Sequence, residues 1–407
     1  MTGPDFRGEA ERLDAGDPLR GYRRRFVDAG PDVVAYLDGN SLGRPLADAP
    51  GELAAFASRA WGGRLIRGWT DEWMDWPQRL GDELGAAALG AAPGQVVIGD
   101  STTVLLYKLA RAAVDARPGR GELVLDTDNF PTDRYVLEGI AAERGLRLRW
   151  IEADPAGGVT PGQVAGHLGP DTALVVLSQV AYRSSFVAEA EAITRRAHDA
   201  GALVLWDLCH SAGSVPVELD AWDVDLAVGC TYKYLNGGPG APAFAYVRAG
   251  HQAAFGQPIW GWMGRKDPFE MAAGYEPADG VRRVLSGTPP ILAMVPLWAS
   301  VRMLAEAGIG AVRAKSLALT RFTIELVDAW LAGLGVSLAS PRQDQRRGSH
   351  VTIRRADFRR VNDELWARGV ITDFRASDGI RLGLAPLSTS FAEVHQALRV
   401  MREVMAG

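Results

Sequence analysis

The run Ala202-Leu203-Val204-Leu205-Trp206-Asp207 is continuously apolar until it ends in a carboxylate. A second apolar run, Leu226-Ala227-Val228-Gly229, follows it, and Lys233 comes 26 positions after Asp207. The glycine-rich segment Asn236-Gly237-Gly238-Pro239-Gly240 comes directly afterwards. Short apolar runs between polar segments are typical of strands that are buried on both faces of a parallel sheet. We therefore expect an acid and a lysine at the ends of two buried strands.

Asp207 and Lys233 suit the two ends of a pyridoxal 5'-phosphate (PLP) cofactor. A lysine amine can form a Schiff base with the cofactor aldehyde, and a carboxylate can keep the ring nitrogen protonated. Taken singly, the residues also fit a salt-bridged aspartate and a surface lysine. Their combination at strand ends, with a glycine loop behind the lysine, favours the cofactor site.

Apolar runs and helical patterns alternate through the middle of the chain, which predicts a mostly parallel sheet covered by helices. The predicted strands are 96–98, 123–125, 147–151, 173–177, 203–206, 226–228 and 244–247, with helices over 104–114, 134–144 and 189–200. Ligands of such sheets bind at the carboxyl ends of the strands. Asp100, Asp126 and Ser178 are expected there together with Asp207 and Lys233.

The pattern changes after Pro289-Pro290, where long helical patterns lead into short strands. These helices are expected over 291–307 and 311–332, the strands over 349–354 and 380–384, and a last helix from Phe391. We therefore expect an N-terminal segment (1–50), a large domain (51–290) and a smaller α+β domain (291–407).

Composition restricts the class of protein. The 407 residues are 47% hydrophobic and 23% charged, which is ordinary for a soluble globular protein. The net charge of -5 gives no reason to expect nucleic acid as a partner. Two cysteines, a polar N-terminus and the absence of an apolar run of membrane-spanning length predict a cytoplasmic enzyme with no membrane partner. No metal site is expected.

Several residues near the predicted strand ends could complete a cofactor site. Thr102 and Thr103 would begin a helix, where hydroxyls and free N–H groups favour a phosphate, although a plain N-cap fits equally. Phe130 could stack on a planar ring, with Asp133 adding to the electric field around it. His210 and Tyr232 flank the predicted Asp207 and Lys233 positions, although each also fits a structural role in the core.

A wider set of motifs resembles the kynureninase family, PLP enzymes of the aspartate aminotransferase fold. The motifs are Tyr36-Leu37-Asp38-Gly39-Asn40-Ser41-Leu42-Gly43, Pro77-Gln78-Arg79-Leu80-Gly81, residues 130–133, 206–210 and 232–240, Gly261-Trp262-Met263-Gly264, Gly287-Thr288-Pro289-Pro290, Gly379-Ile380-Arg381 and Pro386-Leu387. They extend over nearly the whole chain. The resemblance implies an α/β protein of PLP-dependent transferase fold type I, a role in tryptophan catabolism and NAD biosynthesis, and hydrolysis of L-kynurenine to anthranilate and L-alanine.

The resemblance also implies a role for individual residues. Lys233 would be the Schiff-base lysine, Asp207 the partner of the ring nitrogen, and Tyr232 a phosphate contact that takes part in proton transfer. Arg381 would bind the substrate α-carboxylate, a task that suits a bidentate guanidinium. The remaining implied cofactor contacts are Thr102, Thr103, Phe130, Asp133, Ser178 and His210. Asn40 and Ser41 would lie near the substrate, and Trp262 and Thr288 would reach the cofactor of a second subunit, which implies a homodimer.

Trp69 resembles the position where family members that favour a 3-hydroxylated substrate have histidine, and Gly287-Thr288 replaces their Ser-Asn. We therefore expect a preference for unsubstituted L-kynurenine. Arg265, Gln179 and Ala181 depart from the usual bacterial pattern, and Trp73 and Trp76 add aromatic residues nearby. A hydrolase that acts on a ring-substituted kynurenine remains an alternative.

Other classes of PLP protein remain open on the same fold. An aminotransferase or a cysteine desulfurase is one alternative, but a desulfurase needs a nucleophilic cysteine on a mobile loop. Cys209 and Cys230 instead lie next to Asp207 and Lys233. A PLP-binding transcriptional regulator would need an added DNA-binding domain, and only about 35 residues precede the first motif, which is short for one.

Overall fold

The computed structural model describes residues 4–407 of the chain. Its helices are α1 Phe6–Gly16, α2 Ala49–Ala55, α3 Gly62–Arg64, α4 Trp76–Leu84, α5 Thr102–Asp115, α6 Pro131–Arg144, α7 Pro161–Ala165, α8 Ala190–Asp199, α9 Ala249–Gln252, α10 Ile291–Ala307, α11 Ile309–Trp330, α12 Phe358–Ala367 and α13 Phe391–Ala406. Its strands are β1 Ala35–Tyr36, β2 Val96–Gly99, β3 Glu122–Asp126, β4 Arg147–Ile151, β5 Thr172–Ser178, β6 Leu203–Asp207, β7 Leu226–Gly229, β8 Ala243–Val247, β9 Ser337–Leu338, β10 His350–Arg354, β11 Val370–Ile371, β12 Asp373–Arg375 and β13 Gly379–Gly383.

Within the described residues, a seven-stranded sheet in the order β2-β8-β7-β6-β5-β3-β4 forms the centre of the molecule. Strand β8 runs antiparallel to both of its neighbours, and the remaining pairs are parallel. Alternate residues of each strand enter two separate apolar cores, one on each face of the sheet. Helices α5 and α6 cover one face, while α4, α8 and α10 cover the other. The α/β class and the mostly parallel sheet predicted from the sequence are confirmed.

The predicted strands all form, and the main corrections concern where helices begin. Helix α5 starts at Thr102 rather than at residue 104, with Ser101 as its N-cap. Helix α6 starts at Pro131 rather than at residue 134, because proline suits the first helical turn. Thr102, Thr103 and Asp133 therefore lie in first turns, where unpaired backbone N–H groups are available.

A second, antiparallel sheet in the order β12-β13-β10-β9 lies near the C-terminus. The N-terminal segment joins this region, since β1 pairs with β11 and Asp38 forms a bridge to Gly383. The core beneath it combines residues of α1, α11, α12 and α13 with Ala35 and Leu37. Helix α10 instead packs against the central sheet. The domain boundaries at residues 50 and 290 stay a prediction.

No single helix between residues 4 and 407 is long and apolar enough to cross a membrane. Helices α10 and α11 reach that length and apolarity only as a pair, and they meet at 85°.

Asp225, just before β7, ties three elements together at the end of the central sheet opposite to Asp207. Its carboxylate accepts hydrogen bonds from the Val204 backbone N–H (2.8 Å), His198 Nε2 (2.8 Å) and His251 Nε2 (2.7 Å). These bonds lower the pKa of Asp225 to about 2 against the opposing effect of burial. The bond to Asp225 also raises the pKa of His198 above its usual value. The interaction is therefore strongest when His198 is protonated.

We expect His198→Gln to change how stability depends on pH. Below about pH 6.5 the folded and unfolded chains both bind the His198 proton, so the charged interaction is fully present. As the pH rises towards the raised folded pKa, the unfolded chain loses its proton first and the contribution disappears. The free energy of unfolding of the wild type should therefore lose part of its advantage over that of the variant as the pH rises. Melting temperatures of both proteins at about pH 6 and about pH 8.5 measure this.

His395→Gln supplies a control of opposite sign. Partial burial, with help from Arg399 and Arg7, lowers the pKa of His395. The wild type should therefore gain stability relative to this variant as the pH rises. If the melting temperatures of the wild type and His198→Gln change in parallel with pH, the interaction between His198 and Asp225 does not have the role described here.

Candidate active site

Asp207 lies at the carboxyl end of β6 and is buried. Ser178, at the end of β5, is its register partner, and the single proton of the Ser178 hydroxyl is shared between Asn129 Oδ1 (2.9 Å) and Asp207 Oδ2 (3.4 Å). The backbone N–H of Cys209 donates to Asp207 Oδ1 (2.7 Å). The carboxylate is therefore held by donors on the next strand and on the loop that follows its own strand.

Lys233 follows β7 and is buried, with 8% of its surface exposed. Its Nζ lies 3.4 Å from His210 Nε2 and 5.7 Å from the centre of the Phe130 ring. Within residues 4–407 it forms no salt bridge. The other three lysines all do: Lys108 pairs with Asp100, Lys266 with Glu276 and Lys315 with Asp17. Lys233 is thus the lysine whose amine has no carboxylate partner in the described chain.

Asp133 is buried beside Asp207, and the two acids face the same small cavity. Burial, and then the charge of Asp207, raise the pKa of Asp133 well above its usual value. Asp133 Oδ2 is also buried without a hydrogen-bond partner. A buried acceptor of this kind carries a free-energy cost of roughly 1–3 kcal/mol until a donor reaches it. The acid pair is therefore suited to a ligand that carries an N–H group or a positive charge.

The cavity beside these residues has a volume of about 100 Å³. Its lining combines an amine, carboxyl groups, hydroxyls and an aromatic ring, namely Thr102, Thr103, Phe130, Thr132, Asp133, Asp207, Cys209, His210, Tyr232 and Lys233. Thr102 and Thr103 occupy the first turn of α5, a 14-residue helix whose N-terminus favours an anion. The Phe130 ring meets Tyr182 edge to face, with centroids 5.4 Å apart, which fixes its orientation.

His210 lies between Lys233 and Arg381. Its Nε2 is 3.4 Å from Lys233 Nζ and 3.5 Å from Arg381 Nη1, so the same nitrogen faces two cationic donors. Burial, followed by the charges of Lys233 and Arg381, holds the pKa of His210 well below its usual value. The ring is therefore neutral, and Nε2 is its acceptor atom.

Arg381, on β13, is 1% exposed and connects the C-terminal sheet with His210, which lines the cavity. Its Nη1 donates to the Tyr182 carbonyl (2.7 Å), its Nη2 donates to Ser41 Oγ (3.0 Å), and Asp373 pairs with Nε and Nη2. When its amide is turned so that the oxygen faces Arg381, Asn40 accepts from Nε (3.2 Å) and Nη2 (3.1 Å). The predicted substrate residues Asn40, Ser41 and Arg381 therefore lie together.

Two glycines allow the N-terminal segment to pass this close. A Cβ on Gly383 would lie 1.7 Å from the Asn40 side-chain amide group, and one on Gly43 would lie 2.3 Å from the Lys233 carbonyl oxygen. The Gly43 N–H also donates to the Tyr232 carbonyl (2.7 Å). The Asp38–Gly43 motif therefore connects the C-terminal sheet with the segment that carries Lys233.

Seven predicted site residues are absent from this lining. Ser178 and Arg381 adjoin the lining residues Asp207 and His210, and Asn40 and Ser41 adjoin Arg381, whereas the other three lie away from the cavity. Trp69 is half-buried and meets Trp73 edge to face at 5.6 Å, against the core of the central sheet. Trp262 is 39% exposed, and Thr288 is exposed on a neighbouring loop. The Gly261 segment and residue 286 are in backbone contact, which holds these two loops together.

Tyr232 is half-buried at the edge of the cavity. Burial, and then the nearby thiols of Cys230 and Cys209, raise the pKa of the Tyr232 hydroxyl. The hydroxyl therefore keeps its proton through the neutral range and acts as a hydrogen-bond donor.

The sequence departures fall outside the cavity. Arg265 pairs with Glu270 at 2.8 Å in a surface loop. Trp73 and Trp76 are buried around Phe56 and do not line the cavity.

Both cysteines are buried, and the Cys230 N–H donates to Cys209 Sγ at 3.2 Å. Neither cysteine therefore sits on an exposed loop, as the desulfurase alternative would require.

Sequence reasoning missed Asp373, Tyr182, Asn129 and His350. Asp373 faces Arg381 through strand register, and Tyr182 contributes a backbone carbonyl, so neither has a sequence signal of its own. Asn129 directly precedes the predicted Phe130 motif, so its position in the sequence could have indicated it as a site residue. The His350 ring lies 5.7 Å from the His210 ring, a proximity that depends on the docking of β10.

The chain is similar to several known proteins. A family model described as the kynureninase C-terminal domain matches residues 312–401. A kynureninase of Burkholderia pseudomallei is 42% identical over 98% of this chain and 95% of its own length. One from Pseudomonas fluorescens is 40% identical with the same coverage. The apo structure of a cysteine desulfurase from Thermococcus onnurineus NA1 superimposes with a TM-score of 0.82 at 20% identity, covering 95% of this chain and 98% of that chain, which shows the shared fold.

The PLP-dependent transferase fold type I is thereby confirmed, and the full-length matches show an enzyme. The cofactor predicted from Asp207 and Lys233 is also that of the matching enzymes, and the amine, the acid pair and the helix N-terminus fit it. The chain belongs to the kynureninase family, whose cofactor is PLP.

Proposed function

We propose that this enzyme hydrolyses the Cβ–Cγ bond of L-kynurenine and releases anthranilate and L-alanine. The observation that carries the substrate class is the position of one histidine between the amine of Lys233 and the guanidinium of Arg381. An α-amino acid could place its amino group near the former and its carboxylate near the latter. Family membership then supports kynurenine among amino-acid substrates.

PLP, when bound, supplies an electron sink for charge that develops on the substrate. The residues that would hold it are Lys233, Asp207, Asp133, Thr102, Thr103, Phe130, Ser178, His210 and Tyr232. Asp207, with Asp133 beside it, would keep a proton at the ring nitrogen. Thr102 and Thr103 would bind the phosphate at the N-terminus of α5.

Three residues would control proton transfer. The Lys233 amine lies beside a neutral His210, so it can accept and return a proton without a carboxylate competing for it. The Tyr232 hydroxyl, with its raised pKa, can donate to the carbonyl group at which water adds. Arg381, Ser41 and Asn40 would orient the substrate by its α-carboxylate.

We also propose that the enzyme is a homodimer in which Trp262 and Thr288 reach the partner's cofactor. Large apolar side chains are exposed around Trp262, namely Ile259, Trp260, Phe269 and Met271, and others lie at Trp61, Leu65 and Ile66. Clusters of this kind mark interaction surfaces. Trp69 and Thr288 would then form part of the wall around the aryl ring. The cytoplasmic location and a role in NAD biosynthesis stay predictions.

Asp207→Asn should lower kcat by about a hundredfold or more, or roughly 3 kcal/mol, because the amide cannot keep the ring nitrogen protonated. Asp126→Asn is the matched control, since Asp126 is also a buried acid at the end of a parallel strand. Burial raises the pKa of Asp126 to about 7, so a neutral amide resembles one of its own states. Near-normal turnover of Asp207→Asn would show that another group supports the ring nitrogen.

L-Kynurenine should be preferred over 3-hydroxy-L-kynurenine by about one to two powers of ten in kcat/KM. A buried phenolic hydroxyl without a partner costs roughly 1–3 kcal/mol, and tryptophan, glycine and threonine offer a wall of low polarity. Fluorescence of the released anthranilates measures both rates. Trp69→His combined with Thr288→Asn should reduce the ratio of kcat/KM for L-kynurenine to kcat/KM for 3-hydroxy-L-kynurenine. If the wild type prefers 3-hydroxy-L-kynurenine, the proposed low polarity of the wall around the aryl ring is wrong. If neither substrate yields a product, the proposed reaction is wrong.

The proposed dimer predicts complementation between two defective variants. Lys233→Ala lacks the amine, and the double variant Trp262→Ala/Thr288→Ala lacks the residues offered to the partner. When equal amounts are unfolded and refolded together, a two-fold symmetric dimer restores about a quarter of the sites, because half the dimers are mixed and each has one complete site. Mixed samples as inactive as the separate variants would place Trp262 and Thr288 in their own chain's site.

A further inference from the structure

Arg381 has a protein partner for every polar atom of its guanidinium. Nη1 meets the Tyr182 carbonyl at 2.7 Å and His210 Nε2 at 3.5 Å, Nη2 meets Ser41 Oγ at 3.0 Å, and Asp373 pairs with Nε and Nη2. A substrate carboxylate must therefore replace at least one partner. Which partner leaves determines the orientation of the substrate.

The guanidinium has two edges on which a carboxylate can bind with two hydrogen bonds. Asp373 occupies the side edge, Nε and Nη2, through its Oδ2 atom, and the turned Asn40 amide oxygen accepts from the same two nitrogens, so Asp373 is the charged partner on this edge. Apart from the contact of Nη2 with Asp373, the end edge, Nη1 and Nη2, meets only neutral acceptors: the Tyr182 carbonyl, Ser41 Oγ and the neutral His210 ring. Neutral acceptors are displaced by a carboxylate more readily than a charged one is, because bonds between ions are about twice as strong.

The end edge also faces Lys233. His210 Nε2 lies within 3.5 Å of both Arg381 Nη1 and Lys233 Nζ, so a carboxylate on the end edge would adjoin the amine. A carboxylate on the side edge would instead meet the negative charge of Asp373.

We propose that Asp373 is a positioning residue: it keeps the side edge of Arg381 occupied so that the substrate carboxylate binds only on the end edge. This inference rests on the proposed role of Arg381 in binding the carboxylate. Asp373 acts through Arg381 and does not contact the substrate itself.

Strand register and a second arginine hold Asp373 in place. Asp373 on β12 lies directly opposite Arg381 on β13 in an antiparallel pair, where side chains on one face adjoin. Arg375 Nε is 2.9 Å from Asp373 Oδ2, so the carboxylate bridges two guanidinium groups. Asp373 also supplies the counter-charge for a buried cation, which would otherwise be strongly destabilising.

The test compares ligands that carry or lack the α-carboxylate on the holoenzyme. In Asp373→Asn, KM for L-kynurenine should rise roughly tenfold while kcat changes by less than about twofold, because the lost interaction orients the bound substrate. Affinity for L-alanine should fall in parallel. Inhibition by the amine that corresponds to kynurenine without its carboxylate should be unchanged.

Two further variants keep the test decisive. Asp378→Asn is the matched control, since Asp378 pairs with Arg354 at 3.0 Å beside the same β12–β13 hairpin, and its KM should equal that of the wild type. Arg375→Gln removes the second cation while leaving Asp373 in place, and it should raise KM by about threefold. Arg375 is partly exposed, so this variant tests the proposal even where Asp373→Asn folds poorly.

Arg381→Lys tests the carboxylate site separately from the positioning role of Asp373, because a point charge cannot replace the guanidinium. If Arg381→Lys raises KM but Asp373→Asn and Arg375→Gln do not, Asp373 does not position Arg381, while the carboxylate site stands. If Arg381→Lys leaves KM unchanged, the carboxylate site itself is wrong. Equal losses of affinity for L-alanine and for the decarboxylated amine in Asp373→Asn would indicate a general structural role and overturn the proposal.

Discussion

The burial of two acids side by side, Asp133 and Asp207, is the constraint around which the site is built. An uncompensated carboxylate in a protein interior is strongly unfavourable, and the raised pKa of Asp133 is the local response to that cost. Ser178 and the Cys209 N–H compensate Asp207, but Asp133 Oδ2 remains without a donor. A protonated ring nitrogen is the kind of group that relieves this cost, so the site gains stability when its cofactor binds.

Two cationic side chains lie near the acid pair. Lys233 and Arg381 both face the Nε2 atom of His210, and neither is in contact with the acid pair through a salt bridge in residues 4–407. The neutral histidine separates two cations that would otherwise repel each other. In the proposed function, Lys233 would adjoin the amino group of an α-amino acid and Arg381 its carboxylate.

The sequence was sufficient to predict the residues that the central sheet positions. Asp207, Ser178 and Lys233 follow apolar runs, and parallel strands bring such ends together without any further information. The family motifs added Arg381, Asn40 and Ser41, whose proximity depends on two close backbone approaches of the N-terminal segment, at Gly43 and at Gly383. Asp373 could not be predicted, because its partner is set by the register of a short antiparallel pair. Within one chain, Trp69 and Thr288 lie away from the cavity. In the proposed dimer, the second subunit would complete the wall around the aryl ring of the substrate.

Lys233 is the residue proposed to bond to the cofactor, and the chain contains only three other lysines. Borohydride reduction of the holoenzyme traps the cofactor on the lysine that holds it, and peptide mass mapping then locates the added mass. We expect the label on Lys233 alone, since Lys108 and Lys315 are buried in ion pairs and Lys266 is at the surface. A stoichiometric label on Lys108, Lys266 or Lys315, with Lys233 unmodified, would contradict the account.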